Sequence, residues 1–525
     1  MSISESGTQP AGARRLGLSA VLAALAALPL VGGVGKALGA GPIDDAYIFF
    51  RFAHNLATGL GFRFNVGGET IEGFTSTLWT LLLALGDRMG ADLVTLAPGL
   101  SLAAAAATVG VVFASTWARG RSLGLPARAA GLLAAGVAVL LAVTPPFAYY
   151  ALSGMDHPLF VLWTALLAAE LSEPAPRLPR LGVLLALAIW TRPEGLLVLC
   201  PWSAGALLFS GSDRPRYEDW RRTAAAMLIP VAAAVALLAW RYLTFGQLLP
   251  NTASAKIVGS PLARVLGGLS YLRLGALLLL PWTLALLAGA GAALWKPRDR
   301  RSLVLLGGAA LWLAYVTAVS GDHFALSRFL LPALPMAALM VPAVAAALQR
   351  RGQRLLPAAA ALALVVAALG AHRNGQLAKA RGESRNARQW AAVGRWLKEH
   401  EPPTTRIALS MVGAIPFESA FETFDLVGLI TPAVGREGKI RHQAAVGHQR
   451  YNTDALVGFH PRLIVYPTSG RDGPKWRAPA AIDEEYSYAY KDAAQDPRVD
   501  RCYRYEERPL GDGTTVDLLR DTCGG

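Results

Sequence analysis

The sequence predicts a mostly α, polytopic membrane protein of about eleven spans with a C-terminal α/β domain. Three observations lead there. The 525 residues are 53% hydrophobic and only 16% charged, with a mean hydropathy of +0.37, too apolar for one soluble core. The apolar residues gather into successive runs that approach bilayer thickness. After about Ala371 the composition turns polar, and helix-like and strand-like patterns alternate.

The first run, Leu16 to Val34, follows Arg14 and Arg15. Its basic start and the small residues near Ala40 would also suit a cleavable signal peptide. A retained first helix is the expectation, because many spans follow. Further runs lie near 94–117, 129–146, 158–171, 181–191, 195–210, 223–240, 274–293, 303–319, 330–348 and 355–371.

A net charge of +14 would suggest nucleic acid in a soluble protein. Here the basic residues cluster in every second connection between runs: Arg119, Arg121 and Arg128; Arg177 and Arg180; Arg214 to Arg222; Lys296 to Arg301; Arg350 to Arg354. This is an orientation signal, so no nucleic-acid partner is expected and those connections are read as cytoplasmic. The opposite connections carry "GPIDDAYIFFRFAHNL", "YYALSGMDHP", "WTRPEG", "LLPNTASAKI" and "VSGDHFALSRF". The organisation expected is a cytoplasmic tail at 1–15, a transmembrane domain at 16–371 with a first outer loop at 41–93, and an outer α/β domain at 372–525. Cys502 and Cys523 could then pair as a disulfide if that region is exported.

Single charges near spans usually snorkel or pair at the interface. Five polar loops on one face are harder to dismiss. A charge at a helix centre costs about 2.5–3.5 kcal/mol on insertion scales, so Arg192, Glu194, Asp322 and Arg328 should line a wet cavity or sit at the surface.

Pro42, Asp44 and Asp45 read as a helix start, with Gly59 as its stop. Asp44, Tyr47, Arg51, His54 or Asn55, and Thr58 would form a polar stripe, and Ile48, Phe49, Phe52 and Leu56 an apolar one, so this helix should lie at the interface. Neighbouring positions diverge by about 100°, which gives the two aspartates separate tasks, one of them capping the helix. Beyond it come a hairpin-like double glycine, the acids Glu69 and Glu72, and an amphipathic or re-entrant stretch from Ser76 to about Leu85. The chain has no phosphate-binding or dinucleotide fingerprint. An energised substrate would then arrive through the bilayer, as a sugar on a polyprenyl phosphate. Attack by an acceptor hydroxyl needs one general base, and phosphate leaves without an acid.

The ordered segments "DDAYIFFRFAHNLATGLGFRFNVGGETIEGFTSTLW", "ALSGMDHPLF", "TRPEG", "LLPNTASAK", "GDHFALSRFLLP" and "MVGAIPFES...FDLVGLI" resemble GT-C superfamily membrane glycosyltransferases, over about residues 16 to 430. The branch they are most similar to includes the mycobacterial terminal arabinofuranosyltransferases. The resemblance implies a multi-pass protein of a bacterial plasma membrane, a polyprenyl-phosphate sugar donor, inversion at the anomeric carbon, and an aspartate base in the first outer loop. Asp44 would be that base, with Asp45 the close alternative, the cap of the helix or a ligand to a divalent cation. Lys256 and Arg328 would bind the donor phosphate, helped by His323. Arg51, His54, Glu72, Asp156, Arg192, Glu194 and Asp322 would line the cavity or meet the acceptor. Asp156 stands where that branch often carries glutamate, which leaves its role open. No cofactor follows with certainty; a hard cation held by Asp44, Asp45 or Glu72 together with the donor phosphate is the one candidate, and no second histidine at ligand spacing supports a histidine metal site at His323.

The outer domain is expected to combine a helix in "NARQWAAVGRWLKEHEP" with strands in "TRIALSMVG", "TFDLVGL" and "PRLIVYP", and to bind or shape a glycan acceptor. Trp390 and Trp396 share no clean helix face and read as ordinary packing. The competing function is a transporter or envelope-assembly factor that binds lipid-linked saccharide. Transport predicts polar groups at mid-membrane and on both sides, and the motifs here lie on one face.

Overall fold

The computed structural model describes residues 11–209, 217–251, 260–295, 299–350, 375–441, 449–466, 488–510 and 515–523. Its helical part opens with α1 (Ala11–Ala37), α2 (Asp44–Ala57), α3 (Thr77–Arg88), α4 (Leu93–Ser122) and α5 (Ala127–Val143). The short α6 (Pro145–Tyr150), α7 (His157–Leu171), α8 (Leu178–Thr191), a π turn (Gly195–Leu199) and α9 (Cys200–Leu208) follow. Next come α10 (Tyr217–Phe245), α11 (Pro261–Leu278), α12 (Leu280–Trp295), α13 (Arg300–Ala318), a 3₁₀ stretch (Ala325–Ala333) and α14 (Leu334–Arg350).

Among the described residues, five helices are long and apolar enough to span a bilayer, or six if the bent pair α11 and α12 counts as one; four more apolar helices are shorter. The run expected at 274–293 is therefore not one straight span. Its two halves meet at 101°, where Pro281 at the start of α12 cannot donate an amide to a continuing helix. Pro193 breaks the chain similarly between α8 and α9. Gly195 is required after it, because a Cβ there would meet the Ala188 carbonyl carbon at 2.5 Å. The run at 355–371 lies outside the described residues.

Polar bonds collect the connections at two ends. Arg119 Nη2 meets Asp299 at 3.1 Å, and Arg301 Nη1 donates to Ser122 Oγ at 3.3 Å, so two of the basic connections share one end. At the other end the Ile43 amide donates to Ser153 O, Trp79 Nε1 to Gly154 O, Ser101 Oγ to Met155 O and the Asn251 amide to Glu72 O. The loops that follow α1, α6 and α10 are thereby tied together.

The α/β part begins with α15 (Gln376–His400) and carries β1 (Arg406–Leu409), α16 (Ala414–Ser419) and β2 (Glu422–Asp425). A two-stranded ribbon, β3 (Lys439–Ile440) with β4 (Arg450–Tyr451), is followed by β5 (Leu463–Tyr466), β6 (Tyr503–Pro509) and β7 (Thr515–Asp521). The sheet order is β2-β1-β5-β7-β6, with β2, β1 and β5 parallel and β7 and β6 antiparallel. Ile407, Leu409, Leu463, Val465, Val516 and Leu518 face Val393 and Leu397 of α15 in one buried layer. Cys502 and Cys523 are disulfide-bonded, which ties the two ends of the β6–β7 hairpin.

Candidate functional site

Helix α2 starts at Asp44 as expected and ends at Ala57, with Gly59 at φ +88°. Its cap residue is Ile43, with no side-chain capping bond, so Asp44 and Asp45 occupy the first turn and only complement the helix dipole. The middle of the polar stripe of α2 does not face water. Tyr47 and Arg51 on the polar stripe are as buried as Phe49 and Phe52 on the apolar one, because the α/β part covers the polar side.

That cover explains several residues. Asp44 accepts from the amides of Gly413 at 3.1 Å and Ala414 at 2.8 Å, one on each carboxylate oxygen. The capping task thus falls to Asp44, and it caps α16, 370 residues away. Arg51 donates to the carbonyls of Phe64, Pro416 and Phe421. Asn65 exchanges two bonds of 2.9 Å with the backbone of Thr423. Three polar groups of the first loop thus hold one segment, 413–423.

Arg51, His54 and Glu72 do not line a common cavity. Arg51 is the buried strut just described, exposed His54 meets Asp87 at 3.0 Å, and Glu72 pairs with Arg241 at 2.9 Å. Glu72 is thus committed to Arg241, and among the described residues no three His, Cys, Asp or Glu side chains gather around a common point.

Asp156, Arg192 and Glu194 do come together. Arg192 donates to Asp156 Oδ2 at 3.1 Å and Glu194 Oε1 at 3.1 Å, and Tyr315 Oη adds a third contact to Glu194 at 3.2 Å. Burial opposes charge on Asp156, but Arg192, His157 and Arg328 outweigh it and hold this carboxyl well below the usual range. The ring of Phe329 lies between the two arginines, 5.6 Å from Arg192 and 5.7 Å from Arg328.

Arg328 is 3% exposed. Its Nε donates to Asp322 Oδ2 and its guanidinium lies 3.9 Å over the Phe324 ring. Nη1 is buried and has no hydrogen-bond partner among the described residues. Asp45 is near enough to attract Arg328. It is half-buried, and no hydrogen bond or ion pair engages it among the described residues. A guanidinium N–H and a carboxylate, neither hydrogen-bonded among the described residues and close enough to attract each other, suit an anion and a hydroxyl brought together between them. His323 is half-buried beside Asp322. Lys256 lies outside the described residues.

The backbone that presents Arg328 is strained: Leu326 and Ser327 both sit in the left-handed region, at φ 59° and 50°. Such conformations cost about 1–3 kcal/mol each for residues with a Cβ. Neighbours hold them in place. Tyr150 Oη donates to Ala325 O at 2.6 Å, the Phe329 amide donates to Tyr271 Oη at 3.1 Å, and the Ala325 and Leu326 amides donate to Glu383 and Gln376 of α15 at 2.8 and 2.9 Å. Sequence reasoning missed Tyr150, Tyr271, Gln376 and Glu383. Polar residues three and four apart on α15 read as an ordinary solvated face.

With this geometry in view, comparisons with known proteins place the fold. Residues 377–507 match a family described as a domain of unknown function (DUF8728). Over 225 residues the chain is 33% identical to the terminal β-(1→2)-arabinofuranosyltransferase of Mycobacterium tuberculosis, a match that covers 41% of this chain and 34% of that protein, so it spans about a third of the relative's length. Among solved structures it is similar to ArnT from Cupriavidus metallidurans bound to undecaprenyl phosphate, at TM-score 0.55 and 10% identity, covering 98% of this chain and 99% of that one. It is also similar to the archaeal oligosaccharyltransferase AglB from Archaeoglobus fulgidus in complex with an inhibitory peptide and a dolichol-phosphate, at TM-score 0.51 and 13% identity, covering 95% and 74%. The chain has the multi-helix fold of ArnT and AglB, with an α/β part at its C-terminus and local sequence similarity to a mycobacterial terminal arabinofuranosyltransferase.

Proposed function

We propose that this chain is a membrane glycosyltransferase that moves a sugar from a polyprenyl phosphate to a hydroxyl of a cell-envelope glycan, lipid or protein, on the outer face of a bacterial plasma membrane. Arabinofuranose is the sugar favoured by the local similarity to the mycobacterial enzyme. The observation that carries the reading is Nη1 of buried Arg328, without a hydrogen-bond partner among the described residues and within electrostatic range of Asp45.

In this reading Arg328, with Lys256 and His323, receives the donor phosphate. Asp45 takes the proton of the acceptor hydroxyl. The acceptor oxygen bonds to the anomeric carbon on the face opposite the phosphate, the bond from that carbon to the phosphate oxygen breaks with its electron pair, and polyprenyl phosphate leaves as an anion held by Arg328. The product is inverted, and no acid is needed, because phosphate is already a competent leaving group. Asp156, Arg192 and Glu194 act as the fixed wall behind Arg328. Asp44 positions its neighbour by holding the α/β part against α2.

The test offers purified full-length protein in nanodiscs a panel of polyprenyl-phosphate sugars. Wild type should turn over or slowly hydrolyse one of them, Asp45→Asn should bind it without turnover, and Arg328→Ala should lose affinity for it. If wild type binds polyprenyl lipid but transfers and hydrolyses nothing, the transporter or assembly reading replaces this one.

A further inference from the structure

One face of α15 reaches three of the loops that form the site. Gln376, Lys379 and Glu383 follow one another at helical spacing. Lys379 Nζ donates to His323 O at 2.6 Å, Glu383 Oε1 accepts from the Ala325 amide at 2.8 Å, and Gln376 Oε1 accepts from the Leu326 amide at 2.9 Å. All three grip the left-handed turn that presents Arg328. One residue further along, Ser384 Oγ donates to Gly41 O at 3.0 Å, just ahead of Asp44 and Asp45. Tyr149 Oη donates to Ala380 O at 2.5 Å, tying in the loop that leads to Asp156. The helix that begins the α/β part therefore bonds to the segments that lead to Asp45, Asp156 and Arg328.

We infer that α15 is the positioning element of the donor-phosphate site and that Glu383 is its principal positioning residue, fixing Arg328 through the Ala325 amide. This rests on the glycosyltransferase reading above. Glu383 does not touch Arg328 by hydrogen bond; it acts on the turn. Its second oxygen, Oε2, is buried and has no hydrogen-bond partner among the described residues. Burial pushes its carboxyl up to about 7. A carboxyl kept in so unfavourable a place is consistent with a constraint on geometry rather than with solubility. The consequence is that the α/β part, besides any role with the acceptor, completes the donor site.

The experiment uses full-length protein in nanodiscs and compares wild type, Glu383→Ala and Glu383→Gln. Binding of undecaprenyl phosphate is measured beside binding of uncharged undecaprenol, and amide exchange is followed over residues 323–329. Glu383→Ala should weaken undecaprenyl phosphate on the order of tenfold, leave undecaprenol unchanged and speed exchange of the turn. Glu383→Gln keeps an acceptor for the Ala325 amide and should restore phosphate affinity. The inference is overturned if Glu383→Ala binds both lipids as wild type does, if it loses both equally, or if Glu383→Gln behaves like Glu383→Ala. Failure of the function itself looks different: wild type would then distinguish the two lipids not at all, while exchange of the turn would still respond to Glu383→Ala.

Discussion

Asp44 and Asp45 are adjacent, yet both oxygens of Asp44 are engaged by the amides of Gly413 and Ala414, and those of Asp45 are not. Under the proposed mechanism, Asp45→Asn should lower turnover by about 100- to 10,000-fold with donor affinity kept, read by comparing kcat with donor binding. Asp44→Asn should act through docking of the α/β part and lower the melting temperature more than it lowers kcat. Asp44 also makes stability depend on pH. Burial pushes Asp44 up to about 7, against the pull of the Ala414 bond and with repulsion from Asp45. A carboxyl whose folded pKa exceeds its unfolded one stabilises the fold fully below about pH 4, and that contribution is lost as pH rises to about 7. Melting temperatures measured across that window should therefore fall less steeply with pH in Asp44→Asn than in wild type. An unchanged slope would remove Asp44 as the source.

At the scale of elements, the contact between α2 and segment 413–423 is the most exposed to test. Arg51→Ala removes the donor from three buried carbonyls and should cost about 3 kcal/mol or more, seen as a lower melting temperature and faster proteolysis beyond residue 372. Gly413→Ala should be as damaging without touching any charge, since its Cβ would lie 1.9 Å from Asp44 O. Much of this element was legible in the sequence: its start, its glycine stop and the hairpin after it, where Arg63 and Thr70 form a bridge. Its burial was not. Arg51 on a helical polar stripe has the same local pattern whether water or the backbone of another segment lies beyond it. The strands at 406–409 and 463–466 were legible because they are short apolar runs, and the one at 422–425 because apolar residues 426–430 follow it directly. The β6–β7 hairpin was not, because β6 is an edge strand with few buried side chains and no clean alternation.

At the scale of the whole molecule, the proposed function depends on sidedness. Two basic connections meet at one end through Arg119 and Asp299, and five motif-bearing loops meet at the other. If the basic end is cytoplasmic, a membrane-impermeant maleimide added to intact cells should label Glu69→Cys and spare Glu173→Cys. The reverse pattern would put the site on the wrong side for an envelope acceptor. The disulfide adds a second whole-chain expectation: replacing both cysteines, Cys502→Ser with Cys523→Ser, should destabilise the α/β part by about 3 kcal/mol, read by its proteolysis.

By itself, the sequence determined which segments are apolar enough for lipid, where polar loops interrupt them and that a small α/β unit follows. Those properties are local: they depend on the composition of some twenty neighbouring residues at a time. Tertiary structure decided which of two adjacent aspartates is committed, that Nη1 of buried Arg328 has no hydrogen-bond partner among the described residues, and that α15 braces the turn just ahead of it. The physical reason is distance along the chain. The partner of Asp44 lies 370 residues away, and no periodicity in a sequence records a hydrogen bond between groups that only folding brings together.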